Sequence, residues 1–124
     1  MPHNKTRIIK WAKKWRKRLL LQHWTVHITF CNIQCEDADV RAEVDLNRTY
    51  LEICIKIFPE FWKDTLITQE RTIIHELVHT IVQPLKLKAH EKRKLSFKEI
   101  DNIQKEVEYL TEYITNLLWD AYEE

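Results

Sequence analysis

Thr72-Ile73-Ile74-His75-Glu76-Leu77-Val78-His79-Thr80-Ile81-Val82 is the stretch from which the rest of the chain is read. It contains His75-Glu76-Leu77-Val78-His79, an H-E-x-x-H motif. On a helix, residues four apart leave the same face one turn above each other. Two imidazoles so placed can share one Zn²⁺, and the acid between them then lies beside the metal as a candidate general base. Ile74, Leu77, Val78, Ile81 and Val82 surround the histidines, which suits a helix buried on most sides. Pro84 is expected to mark the helix exit, because proline cannot continue a helix. The competing reading is a buried helix whose histidines satisfy local hydrogen bonds while Glu76 sits on a solvated edge. Spacing, intervening acid and apolar context coincide, so the metal reading leads.

Composition limits what surrounds this helix. A chain of 124 residues has length for a single core, so residues 1–124 are read as one minimal domain. Hydrophobic residues make up 44% and charged residues 31%, the balance of an ordinary globular protein. Glycine is absent, which rules out the glycine-rich phosphate loops of common nucleotide-binding enzymes. Tight turns are therefore expected to rely on Asn, Asp or Pro. The cysteines are Cys31, Cys35 and Cys54. An odd number without a secretory signal favours reduced thiols and a cytoplasmic location. Cys31 and Cys35 have weak metal spacing and read as strand residues. No apolar run is long enough to span a bilayer.

Net charge is +1 but unevenly spread: residues 1–23 carry eight Lys or Arg and no acid, and residues 91–124 carry nine acids against five bases. Residues 5–21 read as a helix with Ile8, Trp11, Ala12, Trp15 and Leu19 on one face. Its charges suit nucleic acid or an anionic membrane surface. The favoured reading is structural, since a protein of this size needs both tryptophans inside. Nucleic-acid binding turns on whether Lys10, Lys13, Lys14 and Lys17 form one exposed face.

Trp24 to Phe30 alternates and reads as a half-buried strand. Residues 32–39 read as a loop. Val40–Leu46 and Tyr50–Phe58 read as a hairpin around Asn47-Arg48-Thr49, and Leu51, Ile53, Ile55 and Ile57 give the strongest strand signal in the chain. Thr65 and Thr68 are candidate N-caps of the motif helix. Residues 84–95 read as basic and irregular. Ser96-Phe97-Lys98-Glu99 is a capping box opening a last helix with the stripe Ile100, Ile103, Val107, Leu110, Ile114, Leu117. The expected class is α+β: a small sheet of about three strands, mixed or antiparallel, packed with an N-terminal helix, the motif helix and a long C-terminal helix.

A catalytic zinc usually takes three protein ligands and keeps one position open. The third is expected from elsewhere: His90, more remotely His3, His23 or His27, or a carboxylate of the last helix, Glu106 or Glu108. Helical periodicity alone leans toward Glu106, which lies nearer the centre of the apolar stripe. No His-x-x-Gly-x-x-His continuation follows His79, so the metzincin pattern is absent.

The ensemble resembles the gluzincins, zinc peptidases with an H-E-x-x-H helix and a downstream glutamate ligand. It looks most like the small members called minigluzincins and related short proteins of mobile elements. The resemblance rests on Trp24-Thr25-Val26, Leu51-Glu52-Ile53-Cys54-Ile55, Thr72 to His79, and Glu106-Val107-Glu108-Tyr109-Leu110-Thr111. It implies a zincin-like minimal domain, with Zn²⁺ held by His75, His79 and Glu108 and with Glu112 as a neighbour of a ligand histidine. The implied activity is hydrolysis of peptides or proteins, as an endopeptidase in preference to an exopeptidase, with Glu76 taking the proton of the attacking water. His90, Tyr109 and Tyr113 are the candidates to stabilise the oxyanion. The strand Tyr50–Phe58 is expected to pair with an extended peptide. The alternative function is a metal-binding regulatory or DNA-associated module with weak or no proteolysis.

Overall fold

The computed structural model describes residues 4–34, 39–91 and 97–122. The class is α+β, with three helices and a three-stranded mixed sheet. The chain forms two compact units, Met1–Leu77 and Val78–Glu124.

In the first unit, helix α1 spans Lys5–Arg18. Asn4 caps it, its side chain accepting from the Arg7 N–H at 3.0 Å. Ile8, Ala12 and Trp15 form the buried face, as the spacing predicts, and Trp11 is half-buried. The helix stops three residues short of the expected Leu21 because a Schellman turn closes it. The Leu21 N–H donates to the Arg16 carbonyl at 2.9 Å and the Leu20 N–H to the Lys17 carbonyl at 3.1 Å. Such a turn needs a left-handed residue, ordinarily glycine. Here Leu20 takes it, at φ 58°, and Leu51 takes a second such position before a strand, at φ 53°. The expectation that Asn, Asp or Pro would serve every tight turn is thus corrected: with no glycine to draw on, leucines occupy both left-handed positions found among the described residues.

Strands β1 (Thr25–Phe30), β2 (Ala42–Asn47) and β3 (Glu52–Ile57) form the sheet in the order β1-β3-β2. β3 pairs antiparallel with β2, Val44 opposite Ile55, and parallel with β1, Ile28 also opposite Ile55. Its alternation buries Ile53, Ile55 and Ile57 completely. The strand with the clearest period is therefore the central one, which corrects its expected role in binding peptide. Both of its edges already carry a ladder, so the open edges belong to β1 and β2. A 3₁₀ turn, Pro59–Lys63, buries Phe61.

Helix α2 spans Leu66–Glu91. The Thr65 hydroxyl accepts from the Thr68 N–H at 3.3 Å, so Thr65 is the cap. Glu70, in the second turn of the helix, has a tertiary role. Its Oε2 accepts from the Trp15 indole N–H at 2.7 Å and from Lys14 Nζ at 2.6 Å. That pairing lets a buried indole satisfy its donor.

The second unit contains the rest of α2 and helix α3, Phe97–Tyr122. α2 runs through Pro84 to Glu91, so neither the predicted exit at Pro84 nor the irregular reading of residues 84–91 holds. A proline inside a helix removes one backbone donor, a local loss that seven further helical residues outweigh. α3 buries Val107, Thr111 and Thr115, while Leu117 of the predicted stripe is 52% exposed. The threonines can be buried because each hydroxyl donates to the carbonyl four residues back, Thr111 to Val107 at 2.7 Å and Thr115 to Thr111 at 2.8 Å. Ser96, Cys35 and the side chain of Ile100 lie outside the described residues.

Candidate metal centre

Around the motif, Ile73, Ile74, Leu77, Val78 and Val82 are fully buried, whereas Ile81 is 44% exposed. One seam of the helix is therefore open, and the apolar collar is narrower than the sequence implied. Glu76 and His79 are buried at 8% and 9% exposure, and His75 is half-buried. Burying a carboxylate and an imidazole is costly unless both find partners. For His79 one partner is Glu108 on α3: its Oε1 lies 3.4 Å from His79 Nε2.

His75, His79 and Glu108 each offer a ligand atom, and these atoms all lie within 4.8 Å of one another. Among the described residues this is the one group of three or more His, Cys, Asp or Glu so arranged. The donor set fits a metal ion. Ligands about 2.0–2.1 Å from a tetrahedral zinc stand roughly 3.3 Å apart, close to the separation of His79 and Glu108. Two neutral nitrogens with one anionic oxygen also suit a borderline-soft divalent ion better than a hard one.

The choice that periodicity left leaning toward Glu106 goes the other way in three dimensions, and Glu108 joins the histidines. Glu106 instead lines a groove with Val82, Ile103 and Leu110, residues that a stripe analysis assigns to the core. Tyr109 and Tyr113 are exposed and stacked, ring centroids 6.4 Å apart. Glu112 is exposed on the same helix. His23 and His27 are exposed in the first unit and are not in the group; His3 and the side chain of His90 lie outside the described residues. Cys31 and Cys54 are half-buried free thiols.

Among the described residues, two groups outside the ligand set are shifted from their ordinary pKa values. Asp64, hydrogen-bonded to Arg41, raises that guanidinium above its ordinary value, and the hydrogen bond from Lys63 holds the Glu60 carboxyl below its own. Both are anchors of the segment around the 3₁₀ turn. Lys10, Lys13, Lys14 and Lys17 are all exposed on α1. Among the described residues no helix is long and apolar enough to cross a membrane. Comparison with protein-family models, with curated proteins and with solved structures finds no match.

Proposed function

We propose that the chain is a zinc metallopeptidase of the small gluzincin type, acting on peptide or protein substrates with His75, His79 and Glu108 as ligands and Glu76 as general base. One observation carries the reading. The carboxylate that meets the H-E-x-x-H helix, 3.4 Å from His79, comes from a downstream helix, and the group it completes leaves Glu76 out of the ligand set. A site that only stores metal has no use for that acid. His75, His79 and Glu108 would hold the zinc, which would supply Lewis acidity to the reaction when bound.

The chain's own residues do the rest. Glu76, buried on α2 beside His75 in the chain, takes a proton from the attacking water at a carboxylate oxygen as the O–C bond forms, and passes it to the leaving amine nitrogen as the C–N bond breaks. Helix α2 carries both histidines and the base, and α3 carries the ligand carboxylate.

The deciding experiment measures metal content and cleavage of an unfolded protein on the same preparations. Wild type should carry one zinc per chain and cleave. His75→Ala should lose both properties. Glu76→Gln should retain zinc while turnover falls by roughly 10²–10⁴-fold, the usual worth of a general base. Undiminished cleavage by Glu76→Gln would refute the mechanism, and a chain that refuses zinc at neutral pH would refute the site.

A second reading, a DNA-associated metal module, draws on the exposed lysines of α1. Lys14 is already engaged with Glu70 and Lys5 lies over the Phe30 ring, which leaves Lys10, Lys13 and Lys17 for phosphates. Three contacts predict weak, strongly salt-dependent duplex binding. Tight, sequence-selective binding would favour this reading over the first.

A further inference from the structure

A groove of about 460 Å³ lies in the second unit, bounded by Val82 of α2 and by Asn102, Ile103, Glu106, Val107, Tyr109 and Leu110 of α3. Its volume is that of a ligand pocket and not of a packing defect. Four of these walls are aliphatic. Glu106 is the one charged side chain among the described lining residues, and among the described residues it has no cation partner. Tyr109 supplies an aromatic wall, its ring stacked on Tyr113 at an interplanar angle of 19°.

These walls select an occupant. A purely aliphatic or aromatic side chain would fill the groove but strip water from an unpaired carboxylate, which is costly. A side chain with an aliphatic stem and a cationic head avoids that cost. Its methylenes lie on Ile103, Val107 and Leu110 while its head reaches Glu106. Arginine suits the walls better than lysine, because a planar guanidinium can pair with a carboxylate and lie against a tyrosine ring at once.

We infer that this groove is a binding subsite for an arginine side chain of an extended peptide. Glu106 and Glu108 lie two residues apart on α3, so one helix carries both the groove's carboxylate and the ligand carboxylate, on opposite flanks. The claim that the arginine belongs to a substrate rests on the peptidase reading. It then predicts cleavage at a fixed register from arginine.

Two measurements on the full-length chain test the inference and keep it separable from the peptidase reading. The first needs no catalysis. N-acetyl-arginine methylamide, its norleucine counterpart and its glutamate counterpart are titrated while the methyl resonances of Val82, Ile103 and Leu110 are followed by NMR. The arginine probe should shift all three, and Glu106→Gln should weaken it about tenfold, the worth of one charge-assisted hydrogen bond at the low end. Equal binding of the norleucine probe, unaffected by Glu106→Gln, would overturn the inference. So would protection of these methyls by concentration-dependent dimerisation, which would hand the groove to a second copy of the chain.

The second measurement maps cleavage sites in a denatured protein mixture by mass spectrometry. Arginine should be enriched at one position beside the cut, and Glu106→Gln should abolish the enrichment while cutting continues. Cleavage without any arginine preference overturns the subsite and leaves the peptidase standing. Arginine binding without cleavage supports the groove and removes the peptidase.

Discussion

Glu108→Ala removes the carboxylate that meets His79 at 3.4 Å, and its effect on zinc affinity can be estimated from the donor set. Structural zinc sites with four protein donors are worth about 10–16 kcal/mol in small peptides, so one donor is worth roughly 2.5–4 kcal/mol. That corresponds to about 10²–10³-fold in Kd. The Glu108 side chain is 46% exposed, so water can take the vacated position, and the low end of that range is expected, about 10²-fold. Glu106→Ala is the matched control. It deletes the same charge two residues away on the same helix, outside the group of His75, His79 and Glu108, and should change affinity by no more than about threefold through loss of long-range charge alone. Competition of each variant against a chelating zinc indicator, at one pH and ionic strength, reads both numbers. Equal weakening by the two substitutions would mean that only net charge on α3 matters. An unchanged Kd in Glu108→Ala would mean that His75 and His79 bind the metal without it, and the reasoning from geometry would fail.

Leu20→Gly should stabilise the fold by about 0.5–1 kcal/mol. It relieves a left-handed leucine that costs roughly 1–2 kcal/mol and loses little burial, since Leu20 is 78% exposed; glycine's extra freedom in the unfolded chain offsets part of the gain. Urea unfolding checks it, with Leu20→Ala, which keeps the Cβ, expected to show no such gain. Trp15→Phe should cost about 1.5–3 kcal/mol by removing the indole donor to Glu70. Trp15→Ala, which also empties a site only 1% exposed, should cost more, about 3–5 kcal/mol. Thermal unfolding of both would refute the role of the Trp15–Glu70 bond if Trp15→Phe matched wild type.

Much of this protein was legible in short-range pattern. The alternation of Ile53, Ile55 and Ile57, the face of Ile8, Ala12 and Trp15, and the four-residue spacing of His75 and His79 each follow from local periodicity. Strands repeat every two residues and helices every 3.6, so these features need no knowledge of distant partners. Element order, the α+β class and the candidate ligand pair on one helix were therefore readable along the chain.

The remainder depended on partners far away in sequence. Nothing local says that β3 lies at the centre of the sheet, because hydrogen bonds to β1 and β2 leave no imprint on its own alternation. Thr111 and Thr115 look polar in sequence and are buried, because a hydroxyl that bonds to its own helix no longer needs water. Glu106 and Glu108 lie two residues apart on the same helix, and the period of that helix favours the wrong one for joining the histidines. Only the placement of α3 brings the Glu108 carboxylate to His79, because which flank of an apolar stripe meets a second helix is a property of the pair and not of either sequence alone.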